Sequence, residues 1–165
     1  MASELMCERA ADLVTRLKLQ AHPEGGFYRE VFRSSDNVMT SDGRGMRSAL
    51  TTIDFLLPRG QFSAWHRVAS DEVWHLLEGG PLRLWLVPPS LDRIDLVDLG
   101  VVGDDVTPRH VVPAGWWQAA LPLGQYAYVG ATVGPGFEFA DFAFARGNEA
   151  ADHIARLHPG AAALL

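Results

Sequence analysis

An all-β fold, a jelly roll rather than an α/β layout, is what this sequence predicts, and three observations predict it. About ten short segments carry apolar and β-branched residues in alternation or in short runs. Ten prolines and sixteen glycines are scattered between them, as a chain of many turns requires. The 165 residues, 18.1 kDa, contain no repeat or low-complexity stretch and suffice for one domain with its own core, leaving no room for a second.

Taken in order, Ser3 is placed to cap an opening helix, and Met6, Ala10, Leu13, Val14 and Leu17 form one apolar stripe along it. The helix is expected to end near Gln20, before His22-Pro23 and the Gly25-Gly26 pair. The period then changes to two. Phe27 to Arg33 alternates, and Ser48 to Leu57 is a longer β-branched run; between them, Asp36 to Arg47 reads as an exposed loop able to border a pocket. Further strands are expected at Ser63 to Val68, Glu72 to Leu77, Leu82 to Val87, Arg93 to Leu99, His110 to Val112, Trp116 to Leu121, Tyr126 to Val133 and Phe137 to Phe144. Asn148 can cap a last short helix stopped by Pro159-Gly160, and Ala161 to Leu165 reads as a loosely held tail.

Composition excludes several functions. The one cysteine, Cys7, cannot form an internal disulfide. With no secretory leader and no apolar run near 18 residues, a cytoplasmic location is expected. Fourteen basic against twenty acidic residues, net charge −6, argue against nucleic acid or an anionic membrane as partner.

The segment GQFSAWHRVASDEVWHLLEGG, residues 60 to 80, spaces Gly60, His66, Glu72 and Gly79 as the first cupin motif does, with Val68 where that motif has its second histidine. PAGWWQAA, residues 113 to 120, resembles the second motif, with Gln118 in place of the histidine. Together with HPEGGFYREVFRSS (residues 22 to 35) and VGPGFEFADFAFA (residues 133 to 145), the chain resembles the Cupin-5 family, a domain of unknown function. The resemblance implies a cupin-type double-stranded β-helix in one domain over residues 1–165, with a helix over 3–20, a barrel over about 27–146 and a short helix over about 149–157. It also implies a homodimer related in shape to sugar epimerases, with a small-molecule pocket.

Strand parity sorts the pocket candidates. His66 and Val68 share one face, as do Glu72 and Trp74, and the resemblance to cupins implies that Glu72 points inward, which leaves His75 outside. The expected floor is His66, Glu72, Trp74 and Gln118. A charge-assisted hydrogen bond between His66 and Glu72 would suit these two to proton transfer as the catalytic pair. Trp74 is the ring expected to stack on a ligand, with Phe62 and Phe139 as weaker candidates. Arg29 or Arg33 would receive a carboxylate or phosphate, unless an ion pair with Glu30 occupies them. Because a catalytic iron or manganese wants two histidines and a carboxylate, His66, Glu72 and Gln118 would hold a divalent ion only weakly, and no residue is assigned as a metal ligand; His75 and His110 are poorly placed to help. No serine-hydrolase triad, phosphate-cradling loop or cysteine cluster is present. The expected function is a metal-independent isomerase or epimerase acting on a sugar-like or carboxylate-bearing small molecule. The alternatives are a metabolite-binding or sensor module, and a metal-dependent oxygenase or isomerase with a depleted ligand set.

Overall fold

The computed structural model describes residues 6 to 165. Helix α1 spans Glu8–Leu17 and is followed by β1 (Gln20–Ala21), β2 (Phe27–Arg33), β3 (Asn37–Met39), β4 (Met46–Ser48), β5 (Thr51–Pro58), β6 (Ser63–Val68) and β7 (Asp71–Gly79). Then come β8 (Leu82–Val87), β9 (Asp95–Leu99), β10 (Val106–Thr107), β11 (Arg109–Val112), β12 (Trp117–Pro122), β13 (Tyr126–Gly134), β14 (Phe142–Phe144) and α2 (Ala150–Leu157). One six-stranded sheet has the order β1-β2-β5-β13-β7-β11 and the other β10-β9-β8-β12-β6-β14, with β3-β4 as a separate hairpin. This is the expected all-β jelly roll.

The sheets meet because their alternating inner residues are apolar. Phe55, Leu57, Trp74 and Val129 of the first pack on Leu82, Leu84, Leu86 and Ala120 of the second. Along β5 the inner face passes from Leu57 and Phe55 in this core to Ile53 and Thr51 on a cavity. The sandwich is therefore filled at one end and open at the other.

Several boundaries differ from the sequence reading. The described part of α1 begins after Cys7, and Ser3 lies outside the described residues; Lys18, with φ 54°, ends the helix. Ala10 and Leu13 of its stripe pack on Leu56 and Leu19. The expected loop over 36–47 contains the β3-β4 hairpin, and Met46–Ser48 belongs to it rather than to β5. The last expected strand shrinks to β14, preceded by a 3-10 turn over Phe139–Asp141. Here the backbone leaves the ladder, with Gly136 N donating to Ser48 O and Phe137 N to the hydroxyl of Thr51. Asn148 caps α2, its Oδ1 accepting from Ala150 N at 3.0 Å. The tail is not loose: Ala161 and Leu164 are buried, and the indole of Trp65 donates to Ala161 O at 2.9 Å. Trp65, Trp74, Trp85 and Trp117 are all buried. No helix among the described residues is long and apolar enough to cross a membrane.

Candidate functional site

A cavity of about 280 Å³ opens at the unfilled end of the sandwich, and among the titratable side chains that line it four are buried: His22 and Glu24 from the β1–β2 turn, His66 from β6 and Glu72 from β7. The turn brings Glu24 inward. Gly25 N donates to His22 O, His22 N to Gly26 O, and Ala64 N to Glu24 O, so the turn is stitched to β6. Gly25 (φ 109°) and Gly26 (φ 75°) supply a backbone that L side chains rarely adopt. Glu24 accepts from the hydroxyl of Ser63 at 2.8 Å, and its other oxygen lies 3.2 Å from His66 Nε2.

The tautomers follow from these partners. His66 Nδ1 faces Ala64 O at 2.7 Å and must carry a proton, since a carbonyl only accepts. In the neutral ring Nε2 is then bare, and two lone pairs 3.2 Å apart would repel. One proton therefore resides on the Glu24–His66 pair. His22 is opposite in sense, its Nδ1 accepting from Glu24 N at 3.1 Å. Glu72 has a different partner: Gln118 Nε2 donates to it, and Gln118 Oε1 accepts from the indole of Trp74 at 2.9 Å. Trp74 thus fixes which way the amide faces.

The outer wall is a strap from Phe137 to Phe142. A bulge in β2 between Glu30 and Phe32 changes the strand's parity, so that Arg33 joins Tyr28 and Glu30 on the cavity. Arg33 donates to Glu30, Glu138 and Phe137 O. At the strap's inner end, Arg47 grips both oxygens of Asp141 at 2.7 and 2.8 Å, and Arg44 adds a third contact at 2.8 Å.

Of the residues singled out from sequence, His66, Glu72, Arg33 and Phe139 line the cavity. His66 and Glu72 are not each other's hydrogen-bond partner; Glu24 and Gln118 take those places. Gln118 and Trp74 stand behind the wall, Trp74 in the core against Phe55 at 5.9 Å, where no ligand could stack on it without opening the sandwich. Phe62 packs with the second core of Trp65, Trp85 and Trp117, and Arg29 lies on the exposed side of β2 opposite Asp54. His75 and His110 sit on β7 and β11 off the cavity. Sequence reasoning missed His22 and Glu24 as functional residues, although both lie in the HPEGG stretch used to identify the family.

The set His66, Glu72 and Gln118 does not fit a metal ion. The oxygen of Gln118 is engaged by Trp74, its amide nitrogen faces Glu72, and Val68 presents only methyl groups to the cavity. Among the described residues no group of three or more His, Cys, Asp or Glu is arranged to hold a metal. Replacing Val68 and Gln118 together by histidine is expected to create an ion site, so that Mn²⁺ raises the melting temperature of the V68H/Q118H variant and not of the parent. Equal shifts in both proteins would show that the parent set already binds.

Burial pushes Glu24 up to about 8 despite the Ser63 hydroxyl, and Glu72 up to about 7 against the opposing pull of His66. Burial lowers both imidazoles, His22 to about 4. The carboxyls keep a proton in the folded protein that the unfolded chain has lost, so their contribution to stability is full below about pH 4.5 and drains as pH rises to about 8. The imidazoles act oppositely, His22 adding stability as pH rises from about 4 to 6.5 and His66 acting in the same direction. Between pH 6.5 and 8 the carboxyl effect is left alone, and the melting temperature is expected to fall there. Glu24→Gln should flatten that slope; an unchanged slope would remove Glu24 as its source.

A family model described as "Cupin superfamily (DUF985)" matches residues 11–145. A hypothetical protein from Leishmania major is similar in structure at TM-score 0.80 and 30% identity, over 94% of this chain and 95% of that one. A Shewanella oneidensis protein known from its crystal structure follows at TM-score 0.77 and 29% identity, over 94% and 93%. A variant of Bacillus subtilis oxalate decarboxylase, an enzyme described elsewhere by its Mn(II) centres, shares the fold alone, at TM-score 0.58 and 19% identity over 82% of this chain and 33% of that one. No curated protein matches. The motif spacing, the two-sheet sandwich and the match across most of the chain agree, and the protein belongs to the DUF985 family of the cupin superfamily.

Proposed function

We propose that this protein is a small-molecule isomerase or epimerase that moves a proton at a carbon next to a carbonyl, using side chains rather than a metal ion for acid–base chemistry. One observation carries this reading: two buried carboxyls face the same cavity with different partners, Glu24 sharing a proton with His66 at 3.2 Å and Glu72 accepting from the amide of Gln118, and burial raises both toward neutrality. Near pH 7 Glu24 is mainly the acid, while Glu72 is ionised in a substantial fraction of molecules and serves as base. Glu72 takes the proton from carbon, and the electron pair moves onto the carbonyl oxygen as an enolate. Glu24, coupled to His66, donates to that oxygen. Where the first carbon bears a hydroxyl, the protonated Glu72 delivers its proton to the former carbonyl carbon while that hydroxyl gives its own to Glu24 and becomes the new carbonyl, which completes an isomerisation. In an epimerisation the enol returns its proton to Glu24 and the same carbon is protonated on its other face by water, Glu72 releasing its proton to solvent.

The test is solvent exchange. Small ketoses, hydroxyketones and amino ketones are incubated with the protein in D₂O, and loss of the carbon-bound hydrogen signal is followed by NMR. At least one compound is expected to exchange. A compound that binds the cavity with no exchange in any member of the panel would instead make the protein a metabolite-binding module. We also propose a homodimer, supported by the exposed Phe32, Met39 and Met46 on β2 and the hairpin. A single 18.1 kDa species in sedimentation at micromolar concentration would overturn that.

A further inference from the structure

The cavity's charges are unevenly matched. Of the four glutamates that line it, burial favours the neutral form of Glu24 and Glu72, while Glu30 and Glu138 are ion-paired at the mouth with Arg33, the one guanidinium on the wall. That guanidinium is turned to Glu30 on one side and to Glu138 and Phe137 O on the other, through four hydrogen bonds. Two carboxylates thus more than cancel Arg33, and an incoming anion would meet a net negative wall with its natural receptor occupied. His22 and His66 do not reverse this, because burial disfavours the charged form of each.

The rest of the wall is aromatic. Phe137, Phe139 and Phe142 stand roughly perpendicular to one another, with centroids 5.0, 6.2 and 6.3 Å apart, and Tyr28 meets His22 edge-on at 4.4 Å. Phe139, 54% exposed, forms the lip. Among the described residues the protein's own cations lie over other rings, Arg67 over Trp117, Arg93 over Trp116 and Arg146 over Phe144. His66 stacks on the face of Phe142 at 5.0 Å, so the ring left to a ligand is that of Phe139 at the lip. Ring faces bordered by surplus carboxylates attract an organic cation through the ring quadrupole and the carboxylate charge together. A neutral polyol would use the carboxylates as acceptors but gain nothing from the uncompensated charge.

We propose that the cavity takes a small organic cation, a molecule carrying a protonated or quaternary amine, with the ammonium group at the lip between Phe139 and Glu138 and the rest of the molecule directed inward. This rests on the cavity being the ligand site of the reading above, and narrows its substrate to an aminated carbonyl compound. Sugar-like substrates stay within it only when they bear an amine.

Three probes of nearly one shape isolate the charge: choline, its neutral isostere 3,3-dimethylbutan-1-ol, and the anion 3,3-dimethylbutanoate. Affinity for each is measured by ligand-observed NMR on the full chain. Choline is expected to bind at least about tenfold more tightly than the alcohol and the anion not at all, with Phe139→Ala weakening choline by about three- to tenfold. Glu138→Gln should weaken choline and leave the alcohol unchanged. Because Phe139 and Glu138 are exposed, neither change should disturb the fold. Equal binding of choline and the alcohol, preference for the anion, or no binding of choline would overturn the inference. The two readings fail separately. Choline binding without exchange of any carbonyl compound removes the catalytic reading alone, and exchange confined to neutral or anionic compounds removes this one alone.

Discussion

Glu72→Gln is expected to lower the rate of carbon–hydrogen exchange by roughly 10²- to 10⁴-fold while leaving ligand affinity and fold in place. The amide keeps the size of the carboxyl and one acceptor oxygen but cannot take a proton. Glu72 has one hydrogen-bond partner among the described residues, the amide of Gln118, and its swap leaves a side chain that can still pack there. In the wild type the exchange rate should rise through about pH 7 as Glu72 ionises and fall above about pH 8 as Glu24 loses its proton. Glu24→Gln should remove the descending limb and most of the rate. Wild-type exchange in Glu72→Gln would defeat the assignment of the base, and a rate still climbing above pH 9 would defeat that of the acid.

Gly25→Ala is expected to cost about 3 kcal/mol or more, a large share of the ~5–15 kcal/mol that holds a small domain together. Two effects add. The residue sits at φ 109°, where a side chain is strained, and its Cβ would collide with the carbonyl oxygen of Phe62. That oxygen belongs to the backbone leading into β6 and cannot swing aside as a side-chain tip would. Relief would require the turn to lift from β6, breaking the bond from Ala64 N to Glu24 O and withdrawing Glu24 from His66. Gly103→Ala, where the nearest atom is Val101 O at 3.9 Å, is the control and should be nearly neutral. Equal melting temperatures for the two variants would show that the turn is not held as described.

What was legible in the sequence follows the strands. Period two placed β2, β6 and β8 at their observed limits, and parity together with the spacing shared with cupins put His66 and Glu72 on one cavity. Parity does not decide depth. Trp74 shares the face of Glu72 but lies two residues further along, about 7 Å, which carries it from the cavity into the core. His22 and Glu24 were illegible as site residues for another reason: they sit on a turn, where no period sets side-chain direction, and Glu24 is held by Ser63, 39 positions away. Gln118 was identified, but its orientation depends on the indole of Trp74, 44 residues distant. The bulge that turns Arg33 inward leaves no mark in the alternation of β2.

The two ends of the strap from Phe137 to Phe142 differ in how closely dissolved ions can approach the pairs that hold them. Its outer clasp joins Arg33 to Glu30 and Glu138, side chains 37%, 42% and 50% exposed, within easy reach of dissolved ions. Its inner clasp closes on Asp141, whose side chain is only 3% exposed and is screened far less. Added salt is therefore expected to weaken the contacts of Arg33 before those of Asp141, while the bonds from Gly136 N to Ser48 O and from Phe137 N to the Thr51 hydroxyl keep the first residues of the strap in place.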